Sequence, residues 1–168
     1  MFDKIKEFFD KSPLVMLDVD GVLNPTGVID NMDGTVNQRV EGEYGTWFLN
    51  KDDGEWLRKF QEAGATLLWQ TTWEEEAVKY INPFYGLENV DYIPYPTHPV
   101  DAEGTTYKLP QIKEHAGNHK LVIIDDDIKD DLRQWAKDRS HPTLVVEVNS
   151  EDGWTDEDKQ RILDFLNE

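Results

Sequence analysis

Four short apolar runs, Leu14 to Val19, Ala65 to Trp69, Leu121 to Ile124 and Thr143 to Val148, alternate with stretches of helical periodicity, and that alternation narrows the fold more than any other feature. Val90 to Ile93 is a further strand candidate. The helical stretches are Asp53 to Ala63, with Trp56, Leu57 and Phe60 on one face, then Trp73 to Ile81, Tyr107 to His115 and Ile128 to Lys137. A last helix, Thr155 to Leu166, has Thr155 as its cap and Ile162, Leu163, Phe165 and Leu166 as its buried stripe. Strands alternating with helices pair in parallel through right-handed crossovers, so the expected class is α/β, three-layered around a central parallel sheet. Two stretches escape the alternation. Residues Asn24 to Lys51 carry NMDG and EGEYGTWF, which suit a β-hairpin flap; Asn82 to Thr106 is proline-rich and suits a long ordered loop. Neither gap is long or regular enough for a separate cap domain. A chain of 168 residues without an internal repeat is expected to form one domain.

The strand ends carry the chemistry. In parallel α/β sheets ligands gather at the carboxyl ends of the strands, where the connection order reverses. Asp18 and Asp20 stand at one such end, Thr71 and Thr72 at a second, and Asp125, Asp126 and Asp127 at a third. If the first strand is central with the other two beside it, all of these groups converge. Clustered carboxylates repel one another and are costly to desolvate, and a hard divalent cation with oxygen ligands relieves both problems. Magnesium is the natural choice. Acid pairs after strands also serve as turn residues and helix caps, which for LVIIDDD alone is an equal alternative.

Composition excludes several other chemistries. There is no cysteine, which removes disulfides, thiolate catalysis and cysteine-based metal sites, and fits a reducing compartment. Asp and Glu number 35 against 17 Lys and Arg, a formal charge of −18 that opposes long-range attraction to a phosphate backbone. His98, His115, His119 and His141 lack metal-ligand spacing. The opening MFDKIKEFFDKSP mixes charges among its apolar residues, so neither a signal peptide nor a membrane span is expected, and the predicted location is cytoplasmic. Trp47, Trp69 and Trp73 suit core positions, with stacking on an aromatic substrate as the other use.

The motifs resemble those of the haloacid dehalogenase-like (HAD) phosphohydrolases. The first motif of that family, an apolar strand followed by D-x-D-G, is matched by Asp18, Val19, Asp20 and Gly21; the second, a strand ending in Thr or Ser, by LLWQTT; the fourth, a strand ending in paired acids, by LVIIDDD. The third is a lysine upstream of the fourth. The likeness covers about Leu14 to Val148, and LDVDGVLNP, WQTTWEEEA and IIDDD together resemble a branch of small members associated with nucleic-acid repair proteins. A phosphate-receiver domain uses similar residue types in a different order, with its paired acids at the first strand.

This resemblance implies a Rossmann-like α/β/α fold and a phosphatase. Asp18 would attack phosphorus and form an aspartyl-phosphate. Asp20 would protonate the leaving oxygen and then deprotonate the hydrolytic water. Gly21 would let the backbone turn into the flap. Thr71 would donate to a phosphate oxygen, with Thr72 as the alternative or as a helix cap. For the lysine, Lys120 precedes its strand and Lys113 lies ~7 Å further along its helix than Lys108, which leaves Lys108. A cation in a helix's first turn opposes the macrodipole, so balancing phosphate and carboxylates is its expected duty. The expected Mg²⁺ ligands are Asp18, Asp20, Asp125 and Asp126, with Asp130 a substitute for either of the last two.

The expected substrate is a nucleotide, a nucleic-acid terminal phosphate or a phosphoprotein, since a site roofed only by a flap and a loop is open to large molecules. Binding a nucleic-acid strand despite the acidity would need a basic patch at the mouth from Lys108, Lys113, Lys120 and Arg39. The competing class is a non-catalytic acidic interaction protein, a mimic of nucleic acid on an enzyme scaffold.

Overall fold

The computed structural model describes residues 11–28, 37–95 and 104–168. Strand β1, Leu14–Leu17, lies at the centre of a parallel sheet, and its four residues are all buried. Strands β4, Thr66–Trp69, and β6, Leu121–Asp125, flank it; β5, Asp91–Tyr92, and β7, Thr143–Glu147, form the edges, in the order β5-β4-β1-β6-β7. Leu17 pairs in register with both Trp69 and Ile124, so the residues that follow these three strands emerge side by side.

Alternation along β1 feeds two cores. Val15 and Leu17 face one side with Leu57, Phe60, Ile162 and Leu166, while Leu14 and Met16 face the other with Ile112 and Leu132. Helices α1, Asp53–Glu62, and α5, Asp156–Asn167, therefore cover the first face, and α3, Leu109–Ala116, and α4, Asp130–Asp138, cover the second. The architecture is the expected three-layer, Rossmann-like α/β/α sandwich. Thr155 caps α5 in a capping box: its hydroxyl accepts the Asp158 N–H and the Asp158 carboxylate accepts the Thr155 N–H. Behind that cap Lys159 and Asp53, both buried, pair at 2.7 Å and tie α5 to the first turn of α1.

Between β1 and α1 stands an antiparallel hairpin, β2, Asn37–Glu41, with β3, Thr46–Asn50, in which Val40 opposes Trp47. Its turn is the EGEYG segment, closed by the Gly42 N–H bonding to the Gly45 carbonyl. The NMDG stretch and residues 1–10 lie outside the described residues.

Two boundaries differ from expectation. The helix expected from Trp73 begins later, because Thr71 takes the Trp73 N–H on its hydroxyl and Glu74 holds a positive φ of 49°, which no helix tolerates. It then runs past Ile81: a π-helical turn, Ala77–Ile81, in which the Asn82 N–H bonds to the Ala77 carbonyl, leads into α2, Asn82–Tyr85, with Pro83 near its start. Gly86, at φ 67°, ends the helix. The stretch read as a loop from Asn82 thus begins as helix and also holds β5. Residues 96–103 lie outside the described residues. No helix among the described residues is long and apolar enough to cross a membrane.

Candidate active site

The ends of β1, β4 and β6 meet around one buried ammonium group. Lys108 sits at the N-terminal cap position of α3, and its Nζ reaches Asp18 Oδ2 at 3.0 Å, Asp125 Oδ2 at 2.8 Å and the Gln70 carbonyl at 3.2 Å. An ammonium has three donors, and here each has an acceptor. The loop before α3 is latched to α4, because Asp131 accepts the N–H and the hydroxyl of Thr106; burial pushes its carboxyl up, but these bonds and that from the Leu132 N–H hold it below its ordinary range. That latch sets where Lys108 begins. Lys113 is exposed in the last turn of the same helix, so only Lys108 reaches the strand ends.

Asp18 is buried directly after β1. Its Oδ1 accepts the Val19 N–H at 2.8 Å, which leaves Oδ2 toward Lys108. Burial raises its pKa well above the ordinary value; the Lys108 charge lowers it, and Asp125 raises it again. On Lys108 burial alone would favour the neutral amine, yet Asp18 and Asp125 prevail and hold the ammonium above its usual range. Asp125 is committed on both oxygens: Oδ2 also accepts the Gln70 side-chain amide at 2.7 Å, and Oδ1 accepts the Asp127 N–H at 2.9 Å. Asp126, half-buried, is pushed up to about 6 by burial and then by Asp125.

Asp18, Asp125 and Asp126 each offer an oxygen within 4.8 Å of the others. Three carboxylates against one ammonium leave a formal excess of two negative charges, and the oxygens are hard donors. That set fits a divalent cation of the magnesium type. Gly21 permits it: its φ of 77° is left-handed, and a Cβ there would stand 2.2 Å from Asp126 Oδ2. Asp20, expected among the ligands, stands apart from this trio; its exposed carboxylate accepts the Trp73 indole N–H at 2.7 Å and the Asn24 amide at 3.0 Å. Asp130, the substitute ligand, points to solvent and pairs with Arg133.

Thr71 is buried behind β4, whereas Thr72 is exposed. The Thr71 hydroxyl accepts the Trp73 N–H at 3.3 Å, so its own proton remains to be donated.

A family model described as the HAD domain in Swiss Army Knife RNA repair proteins matches residues 14–159. The chain belongs to this family. No match was found among curated proteins or among solved structures.

Three features of this HAD domain escaped the sequence reading. Gln70 binds both Lys108 and Asp125, Trp73 binds Asp20, and Tyr95 places a buried hydroxyl, with no partner among the described residues, beside the charged pocket. Position gives a clue to the first two, which flank the TT of the second motif; Tyr95 carries none. Trp47 and Trp69 are fully buried core residues. The basic residues do not gather at the mouth. Lys108 is buried in ion pairs, Lys113 lies at the far end of α3, Lys120 precedes β6 and lies over the Phe165 ring, and Arg39 pairs with Glu41 on the hairpin.

Proposed function

We propose that the protein is a Mg²⁺-dependent phosphatase that hydrolyses a phosphomonoester through an aspartyl-phosphate on Asp18. The observation that carries this reading is the buried Asp18 facing Lys108 at 3.0 Å, with Asp125 and Asp126 beside it and Asp20 just outside. Asp18 Oδ attacks phosphorus as the bond to the leaving oxygen breaks, and Asp20 gives that oxygen its proton. Asp20 then takes a proton from water as the water attacks the same phosphorus, and the bond to Asp18 breaks to restore the carboxylate. Thr71 donates its hydroxyl to a phosphoryl oxygen, and Lys108 balances the charge of phosphate and carboxylates. Held by Asp18 and Asp126 with Asp125 behind them, Mg²⁺ would offset the excess negative charge, favour ionised Asp18 and draw charge from the phosphoryl oxygens.

The substrate that suits the family description and the charge distribution together is a terminal phosphate, on a nucleotide or a nucleic-acid end. A net charge of −18 and scattered basic residues provide no track for a long strand. The test is turnover with Mg²⁺ and with chelator on a terminally phosphorylated oligonucleotide, a mononucleotide and a sugar phosphate. Chelation should abolish activity, and Asp18→Asn should lower kcat by ~10³-fold or more with the fold intact. Near wild-type turnover by Asp18→Asn sinks the mechanism. A clear preference for the sugar phosphate removes the terminal-phosphate assignment, and absence of turnover on every ester favours the acidic interaction protein.

A further inference from the structure

Both carboxylate oxygens of Asp20 are held by side chains that also hold the hairpin. Oδ2 accepts the Trp73 Nε1–H at 2.7 Å, and Oδ1 accepts the Asn24 Nδ2–H at 3.0 Å. Asn24 turns its remaining amide atom to β3, where Oδ1 accepts the Phe48 N–H at 2.9 Å. Trp73 meets the hairpin through its ring, which packs edge-on against Trp47 with centroids 4.9 Å apart. Gly45, in the hairpin turn, approaches the same ring so closely that a Cβ would lie 2.3 Å from Cη2. The turn is anchored alongside by Glu76, whose Oε2 accepts the Glu43 N–H at 3.0 Å. Two separate paths therefore run from the hairpin to Asp20, and each ends on a different oxygen.

We infer that Trp73 and Asn24 are positioning residues that aim the Asp20 carboxyl at the leaving oxygen, and that they do so while hairpin β2–β3 is seated on them. The inference rests on the phosphatase reading above, in which Asp20 is the proton donor. An exposed aspartate left alone samples several rotamers. Two bonds, one to each oxygen, select one orientation and still leave a lone-pair direction on each oxygen for the leaving group or for water. The dependence on geometry is steep, since a displacement of about 1 Å in a reacting group costs on the order of 10²-fold in rate. The same contacts explain the glycine at position 45: any side chain there would press on the Trp73 ring and move its N–H away from Asp20.

The bland alternative is that these bonds only staple the hairpin down, and leaving-group dependence separates the two. Trp73→Phe removes the indole N–H and keeps an aromatic ring. Measured on an alkyl phosphate, whose alkoxide cannot depart without a proton, kcat/KM, which reports the steps through formation of the aspartyl-phosphate, should fall roughly 10- to 100-fold. On 4-nitrophenyl phosphate, whose leaving group departs unaided, the loss in kcat/KM should be under about 3-fold, whereas kcat is free to fall on both esters because Asp20 also serves the hydrolytic water. Asn24→Ala and Gly45→Ala should show the same selective loss, and they keep the inference testable if Trp73→Phe melts early. In an Asp20→Asn background, Trp73→Phe should add almost nothing. Equal losses in kcat/KM on the two esters, no loss on either, or full additivity with Asp20→Asn would overturn the inference while the phosphatase reading stands. Absence of wild-type turnover on both esters and on the terminally phosphorylated oligonucleotide and mononucleotide overturns the two together.

Discussion

Gly21 shows how much of the site depends on one missing side chain. Its left-handed backbone lets the chain fold back so that the N–H groups of Val22, Leu23 and Asn24 all aim at the Val19 carbonyl, and its bare Cα leaves room for the Asp126 carboxylate. Alanine there pays about 1–2 kcal/mol for the positive φ alone, before any clash. Gly21→Ala should therefore lower the melting temperature and also displace Asp126, so that added Mg²⁺ raises the melting temperature less than in the wild type. Thermal melts with and without Mg²⁺ check this. An undiminished Mg²⁺ shift in a folded Gly21→Ala would remove Asp126 from the ligand set.

Among elements, α1 and α5 are joined by more than apolar packing. Asp53 and Lys159 are both buried, and burial raises the Asp53 pKa against the opposing pull of Lys159, so this aspartate depends on its partner to stay charged. Removing one member of such a pair strands a charge in the interior, which typically costs about 3–5 kcal/mol. Lys159→Ala should lose stability of that order in urea titrations. Adding Asp53→Asn should recover part of it, because the charge that was stranded is gone. Additive losses in the double variant would show that the pair is not coupled.

At the scale of the whole molecule, acidity and the pocket act together on stability. Asp126 is raised to about 6 and Asp18 is raised well above its ordinary value, both first by burial, so between the unfolded and folded pKa values the folded protein holds more protons than the unfolded chain. Stability then falls as pH rises through that window, from about 4 to 6 for Asp126. In chelator the melting temperature should be higher at pH 5 than at pH 7; Mg²⁺ should narrow the gap, and Asp126→Asn should flatten the part that Mg²⁺ removes. Asp131, lowered by its bonds to Thr106, has the opposite sign and acts at more acidic pH. Differential scanning calorimetry at the two pH values decides. A gap that Mg²⁺ leaves unchanged would mean that general charge repulsion, rather than the pocket, sets the slope.

The element types and the strand ends were legible in the sequence because they follow from local patterning. Apolar runs set β1, β4 and β6, DVDG and IIDDD mark where two of them stop, and Thr155 announces the start of α5. Lys108 could be chosen by reach along its own helix. That β1 lies between β4 and β6 was only a condition in the sequence reading, and the sheet meets it. What the tertiary structure decided is which side chains meet across long stretches of chain. Gln70 finds Asp125 from 55 positions away, and Trp73 finds Asp20 from 53, because parallel register brings the strand ends level and the hairpin folds back over them. The same long-range geometry takes the Asp20 carboxylate out of the acidic trio and scatters the basic residues. Periodicity reports which face of an element is buried, but a contact between elements depends on register and loop path, and these are properties of the folded chain as a whole.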